Sequence, residues 1–342
     1  MNSRTEDVLA VVSQLGRAVS FHDLTTYALL ANVEVKAEPH ELSFDARRRL
    51  LYVSHTYDSG WYFHNGGRGH EVSVLDVDTR EVVGTIDLGP AHGPHGLWLD
   101  AEADLLYVSV EADDSAPGAL LVVDPESRTV LDRIDVGVHG PHWFAVTPDR
   151  TRVYTANKEA PFLSVVDVAT RRMTGRIEVP GSEGIAVSLD GARVFVAGPA
   201  YTPDNLAGET GLRVIDTATD TVVRTIRTEH RLSAVHVTAA GLVLTTEMRI
   251  PEGGGHADAT DGELRVYSAD AGELIGMAPI GKAPLTLTSS PDGWVGYVAN
   301  SGSATVTVVD LRSCRTLHTI EAGPGAHGLA YLPASGSSAQ PE

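Results

Sequence analysis

Along nearly the whole chain, runs of about 4–8 residues rich in Val, Ile, Leu, Thr and Tyr alternate with turns built from Asp, Gly, Pro, Thr and Arg. LLYVS, RVYTAN, RVFVAG and VGYVAN form one class of run, and EVSVLDVD, ALLVVDPE, FLSVVDVA, LRVIDTA and TVTVVDLR a second. EVVGTIDLG, TVLDRIDVG, RMTGRIEV, TVVRTIRT and TLHTIEAG form a third. Apolar residues alternating with polar ones, with β-branched types in excess, predict strands rather than helices. A fourth class opens each unit: EPHELSFD, GPHGLWLD, GPHWFAVT, GSEGIAVS, RLSAVHVT, APLTLTSS and GAHGLAYL. Its third residue falls at 40, 95, 142, 183, 233, 285 and 327, a recurrence every 41 to 55 residues.

That interval suits four short strands per unit, and seven units predict an all-β, seven-bladed β-propeller with four-stranded blades. The chain ends fit the same scheme. Residues 8–36 carry three strands without an opening one, and AHGLAYL near the C-terminus is an opening strand without the other three. Pairing the N-terminal strands with the C-terminal one closes the ring and leaves no open sheet edge. Residues 1–333 are therefore expected to form a single propeller domain, and 334–342 a disordered tail.

The stretch YVANSGSATVTVVDLRSCRTLHTI (297–320) and its weaker copies resemble the YVTN β-propeller repeat family, over nearly the whole chain. The resemblance implies the propeller fold. It leaves function open, because that family spans binding proteins, cell-surface repeats and enzyme-associated subunits.

Composition narrows the function classes. With 26 basic and 45 acidic residues the formal charge is −19, which disfavours nucleic acid and anionic membrane as partners. No run is apolar for long enough to span a bilayer as a helix. The opening MNSRTEDVLAVVSQLG lacks the basic and long apolar segments of a signal peptide, so a cytoplasmic location is expected. One cysteine excludes internal disulfides and cysteine metal clusters, leaving 14 histidines as the groups that could bind metal or move protons near neutral pH.

In a propeller the opening strand of each blade lines the central channel, and equivalent positions share an orientation. The ring then reads His327, His40, His95, His142, Glu183, Ser233 and Leu285. Four imidazoles and a carboxylate on adjacent blades predict a transition-metal site, since imidazole suits Fe, Cu or Zn better than hard cations. His40, His95, His142 and His327 are the candidate ligands of one ion, Fe(II), Cu or Zn, with no organic cofactor indicated. Glu183 is a fifth ligand, a partner orienting an imidazole, or a general base.

Entry-loop residues His92 and His139 are further candidate acid–base groups. Around the same mouth, His55, Trp61, Tyr62, Arg68, Glu111, Asn157, Lys158, Tyr201, His230, Glu247 and Asn300 are candidate contacts for a small-molecule substrate. Several sit on loops longer than a hairpin needs. Trp143 is expected to pack between blades. An all-histidine set on a propeller axis is similar in geometry to the arrangement in carotenoid cleavage oxygenases, where four histidines hold Fe(II); redox chemistry is favoured because four neutral nitrogens suit Fe(II) or Cu better than a hard ion. A non-redox lyase, isomerase or hydrolase using the same ion, and a non-catalytic binding module, are the alternatives.

Overall fold

The computed structural model describes residues 6–61, 64–113, 115–198 and 209–334, with the backbone alone at Trp61 and His64. Seven four-stranded antiparallel sheets follow one another in chain order. Their innermost strands are Pro39–Asp45, Leu97–Asp100, Pro141–Val146, Ile185–Val187, Arg231–Val237, Pro284–Ser289 and Ala326–Leu332. The last belongs to a sheet whose other strands are Val8–Ser13, Ala18–Asp23 and Leu29–Glu34, so the closing blade is assembled from both chain ends. Its seam registers Val8 on Leu332 and Ala10 on Ala330.

Burial varies from strand to strand across a blade. The second and third strands are covered on both faces by neighbouring blades, so Val8–Ser13 is buried at every residue. For the same reason the strand Ala119–Asp124 is apolar and buried at each of its first five residues, ALLVV, where a one-faced strand would alternate. Outermost strands such as Arg315–Glu321 bury a single residue, Ile320. Apolar contacts gather into clusters that each join two adjacent blades. One unites Tyr52, Val72 and Ile86 of the first blade with Leu106, Val108 and Leu121 of the second. Another unites Val8, Ala10 and Phe21 of the closing blade with Leu51 and Val53 of the first.

Where innermost strands approach each other, side chains are stripped to hydrogen. A Cβ added at Gly328 would lie 2.4 Å from the carbonyl oxygen of His40, and one at Gly184 would lie 2.4 Å from that of Ser233. Gly328→Ala is therefore expected to push the closing strand off the first blade. It should cost about 1–3 kcal/mol of stability, the usual penalty for overpacking. Urea unfolding monitored by far-ultraviolet dichroism measures this, and an unchanged midpoint would mean the ring spreads freely at its seam.

Candidate metal centre

A local irregularity places the chemistry. On the first blade Pro39 opposes His55 while Leu42 opposes Val53, so His40 and Glu41 together face Ser54 across a β-bulge. The third blade repeats it, with Pro141 opposing Asn157 and Phe144 opposing Thr155 around His142 and Trp143. The closing strand does the same between Ala326 and Leu329, at His327 and Gly328. A bulge breaks period-two alternation and re-aims a side chain, so consecutive residues His40 and Glu41 are both turned toward the same site. Hydroxyls from the second strands fix this backbone. Ser54 Oγ accepts from the Glu41 N–H at 3.0 Å and donates to the His95 carbonyl at 2.9 Å. Ser109 Oγ accepts from the Gly96 N–H at 2.8 Å and donates to the His142 carbonyl at 2.7 Å. Thr286 Oγ1 donates to the His327 carbonyl.

The four ring histidines do converge. Their rings form an arc in the order His327, His40, His95, His142, with successive centroids 3.9, 4.0 and 3.4 Å apart. The His40 and His142 centroids are 6.3 Å apart. All four are at most 6% exposed. Nδ1 of His40, Nδ1 of His327 and both ring nitrogens of His95 are buried without a hydrogen-bond partner.

Glu41, which the ring of equivalent positions does not include, completes the centre. Its Oε1 lies 3.5 Å from His40 Nδ1 and 3.3 Å from His327 Nδ1. Among the described residues, His40, Glu41 and His327 are the set whose ligand-type atoms all fall within 4.8 Å of one another. Trp143 packs against the interface between the third and fourth blades, as expected of it. It also reaches into the channel: its Nε1–H donates to Glu41 Oε1 at 3.0 Å, and its ring stands edge-on to His142. The sequence signal for Glu41 was present as a carboxylate directly after the strand-opening histidine. Strict alternation hid it.

Three of the four imidazoles, His40, His95 and His142, are held below their ordinary values. Burial, then the charge of His327, pushes His40 down to about 4. Burial, then neighbouring histidines, holds His95 well below its ordinary value. Burial, then the Lys158 ammonium, does the same to His142. Burial opposes the charge on Glu41, but His327 and His40 together outweigh it and hold the carboxyl at about 2. Glu183 stands beside His142, its Oε1 3.6 Å from Nδ1, and pairs with Lys158 Nζ at 2.9 Å. Lys158 Nζ is also 3.5 Å from His142 Nε2.

The remaining mouth residues divide in two. His55, Asn157, Asn300 and Glu247 turn inward at equivalent second-strand ends and bond across to the third strand of their own blade. His55 uses Nε2 on Ser73 Oγ (2.7 Å) and Nδ1 on the Ala37 carbonyl (3.0 Å). Asn157 donates to Ser164 Oγ and Asn300 to Thr307 Oγ1. Glu247 is fully buried and pairs with Arg265 at 2.7 Å. Glu111 is different: it accepts from Tyr57 Oη at 2.6 Å and pairs with Arg68 Nε at 3.2 Å. Burial, opposed by Tyr57 and Arg68, raises its pKa. His92 bridges to Glu111 through the backbone. His139 is exposed on its entry loop and His230 half-buried. Tyr62 and Tyr201 lie outside the described residues, as does the side chain of Trp61.

No family model and no curated protein matches the chain. Solved structures match its fold. A chain of the hydrazine synthase of Kuenenia stuttgartiensis superposes with a TM-score of 0.69 at 16% identity, over 89% of this chain and 98% of that one. A periplasmic gluconolactonase of Pseudomonas aeruginosa gives a TM-score of 0.70 at 16% identity, over 96% and 100%. A protein of unknown function from Desulfotomaculum acetoxidans gives 0.70 at 11% identity, over 96% and 99%. At these identities the likeness establishes the seven-bladed fold. Among the described residues no helix is long and apolar enough to cross a membrane.

The depressed histidines make a prediction for metal-free protein. Below pH 6.5 the unfolded chain takes up protons that buried His40, His95 and His142 refuse. Their stabilising contribution is thus complete above pH 6.5 and is lost as pH falls toward the folded value of about 4 for His40. Each should add a slope of about 1.4 kcal/mol per pH unit within that window. Urea titrations at pH 7.5, 6 and 5 measure it. A flat profile would mean that the rings are solvated.

Proposed function

We propose that the chain is a metal-dependent enzyme that acts on a small molecule in its axial channel, holding one Fe(II), Cu or Zn ion and needing no organic cofactor. The observation that carries this reading is the buried meeting of His40, His327 and Glu41, whose ligand-type atoms lie within 4.8 Å of one another. An unpartnered imidazole nitrogen in a dry interior costs free energy, and a borderline cation would satisfy two of them together with one carboxylate. Two histidines and a carboxylate form the facial set typical of non-haem Fe(II) oxygenases, which favours oxidoreductase chemistry. Once bound, the ion would supply Lewis acidity or electron exchange to a substrate.

The protein's own groups have separable roles in this scheme. His40 and His327 would donate nitrogen and Glu41 oxygen, while the Trp143 N–H fixes the carboxylate as outer-sphere partners of ligands do. His95 and His142 extend the arc as neutral acceptors. Lys158 and Glu183, paired beside His142, offer a proton donor and an acceptor within reach of the channel. That pair is the observation favouring a second reading, a non-redox lyase, isomerase or hydrolase on the same ion. The propeller fold is shared with solved structures named as a hydrazine synthase and a gluconolactonase, which is support at the level of fold alone.

Elemental analysis of untagged protein should find about one equivalent of Fe, Cu or Zn. Glu41→Gln and the double variant His40→Ala/His327→Ala should lose it, while Lys282→Ala at the exposed end of the outermost strand Leu274–Lys282 retains it. Trp143→Phe, which keeps the ring and removes the donor, should weaken metal affinity about 10-fold. Sub-stoichiometric metal that ignores these substitutions would refute the metalloenzyme.

A further inference from the structure

The clustered histidines are buried, yet the channel continues past them. Leu42, Leu97 and Leu329 each follow a histidine of the arc by two residues, about 7 Å of extended chain. All three are half-buried rather than buried. They line a cavity of about 480 Å³ together with Phe44, Trp98 and Tyr331. It opens on the face opposite the long loops, among the short turns at Asp45–Arg47 and Ala101. The segments that carry His327, His40 and His95 thus run on into the walls of this pocket, whose lining begins two residues past those histidines. Its size falls within the range of small-molecule sites, which are largely apolar with a few polar groups.

The charged groups of the rim are already engaged. Asp45 pairs with Arg48 at 2.8 Å and accepts the Arg47 and Arg48 backbone N–H groups. Arg47 pairs with Asp104. The walls offer a ligand apolar surface and the hydroxyl-bearing residues Ser43, Thr288 and Ser289, while the charges of Asp45 and Arg47 at the rim are paired. We propose that this pocket takes an uncharged aromatic or aliphatic small molecule, and that substrate reaches the histidine cluster from this face. The second clause rests on the metal-site reading above; the pocket itself does not.

Fluorine NMR of 4-fluoroanisole added to the whole protein tests both clauses. Saturable line broadening is expected in wild type, and 4-fluorobenzoate should bind at least about tenfold more weakly. Ser43→Trp, which fills the cavity from a small side chain, should weaken binding at least about tenfold. Ala101→Trp, at an exposed rim position where folding is not at stake, should do the same. Paramagnetic Co(II) in the centre should speed relaxation of the bound fluorine. Absence of saturable broadening, tighter binding of the benzoate, or indifference to both variants would overturn the pocket. Broadening that persists while Co(II) binds without affecting relaxation would remove the link to the cluster. If the protein takes up no metal at all, the metal reading and the supply role fall, and the pocket stands on the variants alone.

Discussion

Everything in this protein depends on the burial of one blade against the next. No blade has a core of its own: the second and third strands are apolar on both faces because each face is the wall of a different interface. Val8, Ala10 and Val12 pack toward the first blade, whereas Leu9 and Val11 of the same strand pack toward the sixth. The hydrophobic effect is roughly proportional to area removed from water, and here that area is divided among joints between neighbours. Such an arrangement is satisfied only when the ring is complete, which makes the seam between Val8–Ser13 and Ala326–Leu332 as important as any interior contact.

At the axis, the same geometry creates a problem of the opposite kind. The innermost strands come so close that glycine is required at Gly184 and Gly328, yet neighbouring positions carry imidazoles and carboxylates out of water. The bulges at His40–Glu41 and His142–Trp143 and the hydroxyls of Ser54 and Ser109 hold this polar layer in place by its backbone. Nδ1 of His40 and of His327 and both ring nitrogens of His95 are left without a hydrogen-bond partner. Polar satisfaction is handled differently one step further out. There His55, Asn157 and Asn300 bind hydroxyls within their own blades, and those side chains serve the scaffold.

The fold was legible because repetition is a signal that survives local noise. Seven opening strands at similar intervals, and the complementary remnants at the two ends, leave few other topologies. The four channel histidines were legible for the same reason, as equivalent positions in a repeat. Glu41 and the channel-facing role of Trp143 were not, because both occupy a position that in the second, fourth and seventh blades is glycine and that strict alternation would aim elsewhere. A bulge is a property of pairing between strands, and nothing in a single strand's pattern of polar and apolar residues announces it. For His55 and Glu247 the sequence showed a position and not the bonding partners. Their partners are Ser73 and Arg265, residues that only the folded blade brings beside them.

The seam has one more consequence, and it concerns time. Glu41 and His40 are among the first residues of the propeller to be synthesised, and His327, which meets them at 3.3 Å from Glu41, is among the last. A chain interrupted anywhere before its final strand therefore lacks both the strand that shuts the ring and the third member of the cluster. Formation of the last strand, closure of the ring and arrival of His327 beside His40 and Glu41 are therefore one event.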